Sequence, residues 1–173
     1  MKDIIKKYRI HHVWHFTDES NIELIRAHGG VLSLSEVSNR NIVIPSPGGN
    51  EWSHKADKAK GIDRYVHLAF IKDHPMLFQA KSDGRIKKPV WLKIKSSILL
   101  KEGVKFSSDV ANKAGVEVLS SEEAENAIDF DVLFTYMDWH DANVQQRRSL
   151  AKKAEILVPK IVPIEYIESE EHG

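Results

Sequence analysis

Two groups of side chains in this sequence are of types that carry out chemistry, and a third is of the type that holds anions. Histidines come first: His11, His12 and His15 lie in the run HHVWHFT, and imidazole is both the commonest metal ligand and a proton carrier near neutral pH. β-branched and aromatic residues dominate His11 to Thr17 and a turn-forming Asp18 follows, so the run is expected to be a strand. Period-two alternation puts His11, Val13, His15 and Thr17 on one face and His12, Trp14 and Phe16 on the other. The bulky second face is expected to be core, and the first to line a cleft. His11 and His15 share a face but stand roughly 13 Å apart along a strand. Ligands sit at ~2 Å from zinc, so no metal is expected there. His11 suits a hydrogen bond at a strand end, whereas His15, beside Thr17 and a helix start, suits a cleft.

The second group is a single carboxylate, Glu155, at the mouth of the apolar run Ile156-Leu157-Val158-Pro159. Glutamates are seldom fully buried unless paired, so Glu155 faces solvent or a polar cleft. The purely structural alternative is a salt bridge to Arg148, Lys152 or Lys153. The third group is basic: Lys55, Lys58 and Lys60; Arg85, Lys87 and Lys88; and Arg147, Arg148, Lys152 and Lys153. Such runs are usually solvated faces. Converging on one side they would neutralise phosphates, and Trp52 and Trp139 could stack bases. No P-loop, GxGxxG, GxSxG or HExxH is present.

Several elements must position these residues. Asp18 to His28 is expected to be a helix capped by Asp18 or Ser20 and ended by Gly29-Gly30. Val31 to Ser35 suggests a short strand or a turn leading to one. Residues 36–63 suggest a long loop followed by a short helix, and a connection of this length is usually functional or mobile. Strands are expected at Tyr65–Ile71, Val90–Ile94, Val104–Phe106, Val116–Leu119, Ala154–Pro159 and Val162–Ile167, with His74–Phe78 a tight apolar segment between them. Ser120-Ser121-Glu122-Glu123 resembles a capping box opening a helix through Ile128, and Ala142 to Lys152 forms another helix. Strands and helices do not alternate strictly, so α+β is favoured over a doubly wound α/β sheet.

Composition sets the outer bounds. The 173 residues, 42% hydrophobic and 29% charged, fit one globular domain over 1–173. With no cysteine there is no disulfide scaffold, no thiol nucleophile and no cysteine-ligated zinc. Twenty-five Lys+Arg balance 25 Asp+Glu, which argues against coating nucleic acid by bulk charge but leaves a local basic groove open. The charged start and the lack of a ~20-residue apolar run point to a cytoplasmic protein with no membrane partner.

Three segments, in order, resemble the DarT family of toxins that ADP-ribosylate single-stranded DNA. They are His15-Phe16-Thr17 with Asn21-Ile22 and Ile25 before Gly29; Tyr65-Val66-His67-Leu68-Ala69-Phe70 running into His74-Pro75-Met76-Leu77-Phe78; and Lys153-Ala154-Glu155-Ile156-Leu157-Val158. The resemblance implies an ADP-ribosyltransferase-like split mixed β-sheet core with flanking helices and NAD, the ADP-ribose donor, in the central cleft. It implies that His15, Phe16 and Thr17 hold the nicotinamide–ribose end of NAD, that Leu24 and Leu32 line the pocket, and that Glu155 is catalytic. A carboxylate suits that reaction, because breaking the bond to nicotinamide develops positive charge on the ribose. The resemblance also implies single-stranded DNA as partner and a macrodomain-type antitoxin that removes the modification.

The sequence departs from the family at two places. Members that modify thymidine carry an arginine in the loop before the YV strand, and no arginine lies between Arg40 and Arg64 here. His54, Lys55 or Arg40 are the candidates to stand in for it. His67 occupies a position where typical members have proline. These departures leave the acceptor base, and DNA over RNA, open. Two other readings remain at this point: a module that binds NAD or nucleic acid without catalysis, and a histidine-dependent nuclease. Strand spacing of His11 and His15 disfavours the nuclease.

Overall fold

The computed structural model describes residues 1–172. Eight strands, β1 (His12–Asp18), β2 (Gly30–Leu32), β3 (Tyr65–Ala69), β4 (Pro89–Lys95), β5 (Lys105–Ser107), β6 (Glu155–Pro159), β7 (Ile161–Pro163) and β8 (Ile167–His172), form two sheets. The larger has the order β5-β6-β3-β1-β4-β8 and the smaller pairs β2 with β7. Every ladder is antiparallel. Eight helices surround them: α1 (Lys2–Tyr8), α2 (Ile22–Ala27), α3 (Leu34–Asn39), α4 (Glu51–Lys60), α5 (Pro75–Ser82), α6 (Ser121–Ala127), α7 (Phe130–Phe134) and α8 (Ala142–Ala151). The class is α+β, as the lack of strict alternation suggests. Among the described residues no helix is long and apolar enough to cross a membrane.

β6 sits inside the large sheet, and its Ile156, Leu157 and Val158 are buried on both faces. One face joins the main core with Val13, Leu92, Ile94 and Phe106, while Leu157 belongs to a smaller cluster with Ile62, Tyr65 and Ala111. Phe70 stacks on Phe106 and meets Phe130 of α7 edge-on. At Lys160, in the left-handed region at φ 64°, the chain turns from β6 into β7. β7 then pairs with β2, where Gly30 lies so close that a Cβ would sit 2.1 Å from the Val162 carbonyl oxygen. Only glycine permits that approach.

One feature of the large sheet differs from a regular ladder. β1 pairs with β4 along its whole length, from His12 opposite Lys95 to Asp18 opposite Pro89. Against β3 it makes a single bridged pair, Trp14 with Ala69. Beyond that pair the two strands part.

The parting corrects the expectation for β1. The bulky face is not core: Val13, on the other face, is fully buried, whereas Trp14 and Phe16 are half-buried beside the opening and pack edge-on against Trp91. Local caps explain other differences. Ser33 accepts from the Glu36 amide and starts α3, which runs from the strand or turn expected at Val31–Ser35 into the region expected to be loop. His74 caps α5, with Pro75 in the first turn where proline's missing N–H costs nothing, so the segment expected at His74–Phe78 is a helix start. The expected capping box at Ser120 and Glu123 is formed. Of Val116–Leu119 only Leu119 bridges to the sheet, opposite Phe106.

Asp18 ties the far end of β1 to the turn before β4. Its buried carboxylate accepts from the amides of Ser20 (3.0 Å), Lys87 (2.8 Å) and Lys88 (2.9 Å). Burial alone would raise its pKa, but these N–H donors outweigh it and bring the group down to about 2 from 3.8. A depressed carboxylate stabilises the fold above its unfolded value and loses that contribution as pH falls through the folded one. Melting temperature measured by circular dichroism should therefore fall more steeply for wild type than for Asp18→Asn as pH is lowered from about 4 to about 2. Parallel slopes would remove Asp18 from this role.

Candidate active site

Where β1 and β3 part, a cavity opens that both strands line. His15 bridges its lips: its Nδ1 lies 3.0 Å from the His67 carbonyl oxygen. A carbonyl only accepts, so Nδ1 carries the hydrogen and Nε2 remains an acceptor. Burial pushes the His15 pKa below its ordinary value, and the ring is neutral near pH 7. Thr17, two residues on, is buried. Asn21 donates from Nδ2 to Thr17 Oγ1 (3.0 Å) and to the Ser46 carbonyl (2.7 Å), and its Oδ1 accepts from the Ser46 amide (3.1 Å). One amide thus fixes the Thr17 side chain and the loop over it. With Oγ1 accepting from Asn21, the Thr17 hydroxyl hydrogen is available to a ligand. Phe16 lies between rings, stacked on His15 at 6.2 Å and His74 at 6.4 Å. Leu24 of α2 and Leu32 of β2 complete an apolar wall.

Across the cavity stands Glu155, the first residue of β6 and 5% exposed. None of Arg148, Lys152 or Lys153 pairs with it. Its Oε2 accepts from His67 Nδ1 and from the Ala111 amide, each at 3.0 Å. His74 Nε2 stands 3.6 Å from Oε1, an ion-pair distance but too long for a hydrogen bond. Burial raises the Glu155 pKa, but the charge and hydrogen bond of His67, then His74 and the Ala111 amide, pull it below the ordinary glutamate value. The site therefore holds an ionised carboxylate in a nearly dry setting.

α4 contributes Ser53, His54 and Asp57 to the wall. Asn50 caps the helix by accepting from the Ser53 amide at 2.8 Å, and this sets the inward face. A Cβ on Gly49 would lie 2.7 Å from His54 Nε2, so a larger residue there would displace that ring. The sequence candidates for a stand-in cation separate here. His54 lines the cavity, and burial lowers its pKa. Lys55 is not brought into the cavity: it points outward, 78% exposed, 3.9 Å from Glu51, because one residue along a helix turns the side chain by about 100°. Arg40 is held by Glu36 on α3 at 2.9 Å. Arg85 donates to the Gly48 carbonyl and anchors the loop from outside its own segment.

The remaining basic residues do not converge on this opening. Arg147 pairs with Asp129, Arg148 covers the Trp139 ring at 5.0 Å, and Lys152 pairs with Asp73. His12 pairs with Glu168 at 2.6 Å, far from any metal arrangement. Among the described residues no three His, Asp or Glu side chains are grouped to hold a metal ion. All the other residues expected at the site, Glu155, His15, Phe16, Thr17, Leu24 and Leu32, meet in the cavity with His54. Sequence reasoning gave no role to Asn21, Asp57, His67 or His74. Asp57 was within reach, since it shares one helical face with His54 and Ser53 at i, i+3 and i+4 spacing.

A split sheet with a buried glutamate and a His-x-Thr strand at its gap is the arrangement that the resemblance to ADP-ribosyltransferases implies. Residues 14–169 match the model of the family described as ssDNA thymidine ADP-ribosyltransferase, DarT, and the chain belongs to that family of NAD-dependent enzymes. Solved structures agree on the fold. Thermus sp. 2.9 DarT in complex with ADP-ribosylated ssDNA superposes with a TM-score of 0.69 at 17% identity, over 94% of this chain and 81% of that one. The same Thermus protein in complex with NAD+ gives 0.60 at 18% identity, over 93% and 81%. Thermosipho africanus DarTG in complex with ADP-ribose gives 0.67 at 17%, over 92% of this chain and 43% of that one. No curated protein matches the sequence.

Replacing Asn21 by alanine would leave the buried Thr17 hydroxyl and both Ser46 backbone groups without their partner. A loss of ~1–3 kcal/mol is expected, with faster nicking of the loop around Ser46 in limited proteolysis. Unchanged melting and unchanged nicking would show that Asn21 holds neither.

Proposed function

We propose that this chain, as a single domain over residues 1–173, transfers ADP-ribose from NAD to thymidine in single-stranded DNA, with Glu155 as its catalytic residue. The observation that carries the reading is the buried Glu155 carboxylate lining one cavity with His15 and Thr17 where the strands part. In this reading NAD supplies the ADP-ribosyl group: the ribose–nicotinamide bond breaks, a base nitrogen bonds the same carbon, and the base gives up a proton. Glu155 stabilises the positive charge that develops on the ribose, in a site where water does not screen it. Its free oxygen takes the proton from the base. His15 Nε2 and the Thr17 hydroxyl offer one acceptor and one donor to the polar nicotinamide–ribose end, and Phe16, Leu24 and Leu32 cover the apolar surface.

In this reading His54, in the cavity wall, meets the acceptor base. Lys55, with Trp52 at i−3 on the outer side of α4 and 69% exposed, is left to meet the nucleic acid strand outside the cavity. Both substrates are found in the cytoplasm, where we place the protein. A toxin countered by a macrodomain partner is the role in keeping with the DarTG relative.

Labelled NAD offered with single-stranded DNA and RNA oligonucleotides, each with one base type, tests this directly. Label is expected on thymidine-containing DNA, and Glu155→Ala should reduce it at least ~10²-fold while leaving the fold, read by circular dichroism, and NAD affinity close to wild type. Label on RNA alone would keep the enzyme class and change the acceptor. Saturable NAD binding with no label on either would favour a binding module instead. His15→Ala is expected to weaken NAD binding, read by calorimetry, by roughly tenfold for one lost hydrogen bond and its cover. An unaltered affinity would free His15 of that role.

A further inference from the structure

We propose that His67 is a positioning residue that holds Glu155 ionised and leaves one chosen carboxylate oxygen to the substrates. The inference rests on the catalytic role assigned to Glu155 above. Opposite Glu155 across the β3–β6 ladder stands Ala69, and His67 is the diagonal neighbour on the same face. Diagonal partners lie about 7–8 Å apart at Cα, within reach of a ring, and the small Ala69 side chain leaves the path clear. A carboxylate only accepts, so the 3.0 Å contact from His67 Nδ1 to Oε2 is an N–H donation, joined at the same oxygen by the Ala111 amide. Oε2 is thereby occupied twice over. Oε1 has no hydrogen bond and faces the cavity.

His67 also joins the two lips of the site. Its ring holds Glu155, while its carbonyl accepts from His15 Nδ1. Its Nε2 is buried with no protein partner, and Asp57 Oδ1 in the same wall is also without one. The titratable groups facing this ring are Glu155 from β6, Asp57 and His54 from α4, His15 from β1 and His74 from the cap of α5. Burial disfavours a charged ring, but Glu155, by charge and hydrogen bond, and Asp57 prevail, and the His67 pKa is raised above 6.5. His74 goes the other way: burial lowers it, and it stays neutral. The imidazolium–carboxylate bond is about twice as strong as its neutral counterpart. A group whose pKa is raised on folding makes its contribution below the unfolded value and loses it as pH rises through the folded one. The grip on Glu155 thus weakens on the alkaline side.

The test is the rate of transfer from NAD to a thymidine-containing single-stranded oligonucleotide against pH, for wild type, His67→Asn and Glu155→Gln. Asparagine keeps a neutral donor near the place of Nδ1. Wild type should lose about tenfold in kcat as pH rises through the His67 transition, while His67→Asn shows no such limb and a kcat about tenfold lower at neutral pH, with KM for NAD within about twofold of wild type. NMR of the folded wild type supplies an independent reading: the His67 ring should titrate above 6.5, and Glu155→Gln should lower that value. A His67→Asn enzyme with the wild-type rate and limb, or a His67 ring titrating below 6.5, would overturn the inference. In either case an inactive Glu155→Gln leaves the catalytic assignment standing. An active Glu155→Gln would end both.

Discussion

The parting of β1 from β3 after one bridged pair is the constraint on which the rest of the site depends. A ladder continued to the end of β1 would have satisfied the backbone groups of both strands and closed the sheet. Because it stops at Trp14 and Ala69, the inner edges of residues 15–17 and 65–68 face each other across a gap, and both faces of each strand contribute side chains to it. Buried polar backbone must find partners somewhere. His15 supplies one to the His67 carbonyl, and Asn21 supplies two to Ser46. β1 does not collapse into the gap because its other edge is fully paired with β4, and Asp18 fastens its end. The site is an interruption in a sheet, kept open by strong pairing on either side of it.

Placing an ionised carboxylate in that interruption is costly, since burial alone would protonate it. Asp18 and Glu155 meet the same difficulty by different means. Asp18 is surrounded by backbone N–H groups, which have no charge to lose, and its role is structural. Glu155 has one backbone N–H and two histidines. Because His67 itself titrates, the strength of its hold on the carboxylate depends on pH, whereas the backbone N–H groups around Asp18 keep theirs at any pH. Removing one partner of such a pair leaves an uncompensated buried charge, so the pair specifies the site more than it stabilises the fold.

Alternation puts His15 and Thr17 on one face expected to line a cleft, whereas position alone leaves Glu155 between a cleft and a salt bridge, and the family resemblance singles it out. His15 and Thr17 share a face by period two, and Glu155 opens a run too apolar to be anything but an inner strand. Even so, Trp14 and Phe16 are not core as alternation predicts, because alternation presumes a regular sheet and β1 is exposed along one edge. Which residue grips Glu155 was out of reach for a different reason. His67 and Glu155 are 88 residues apart, and their contact depends on the β3–β6 register, which no local pattern encodes. Short helices were the other loss: α3 and α5 are set by single caps at Ser33 and His74, each too brief for a hydrophobic period to show. His54 and Lys55 illustrate the limit within one helix, where adjacent residues in a polar run end on opposite sides of the wall.

The cavity lining contains no lysine or arginine but five of the chain's nine histidines: His15, His28, His54, His67 and His74. An anionic dinucleotide and a phosphodiester strand would ordinarily be met by fixed cations. Here the fixed cations stay outside, Arg85 engaged with the loop at Gly48 and Lys55 on the outer side of α4. Inside, positive charge comes only from imidazole rings. Burial drives His15, His54 and His74 toward the neutral form, whereas His67, between Glu155 and Asp57, is driven toward the charged one. The absence of an arginine between Arg40 and Arg64 is therefore not repaired by another guanidinium in the cavity wall. The wall relies on neutral donors and acceptors to hold its ligand, and concentrates its one favoured cation beside the carboxylate, where it fixes the charge of Glu155.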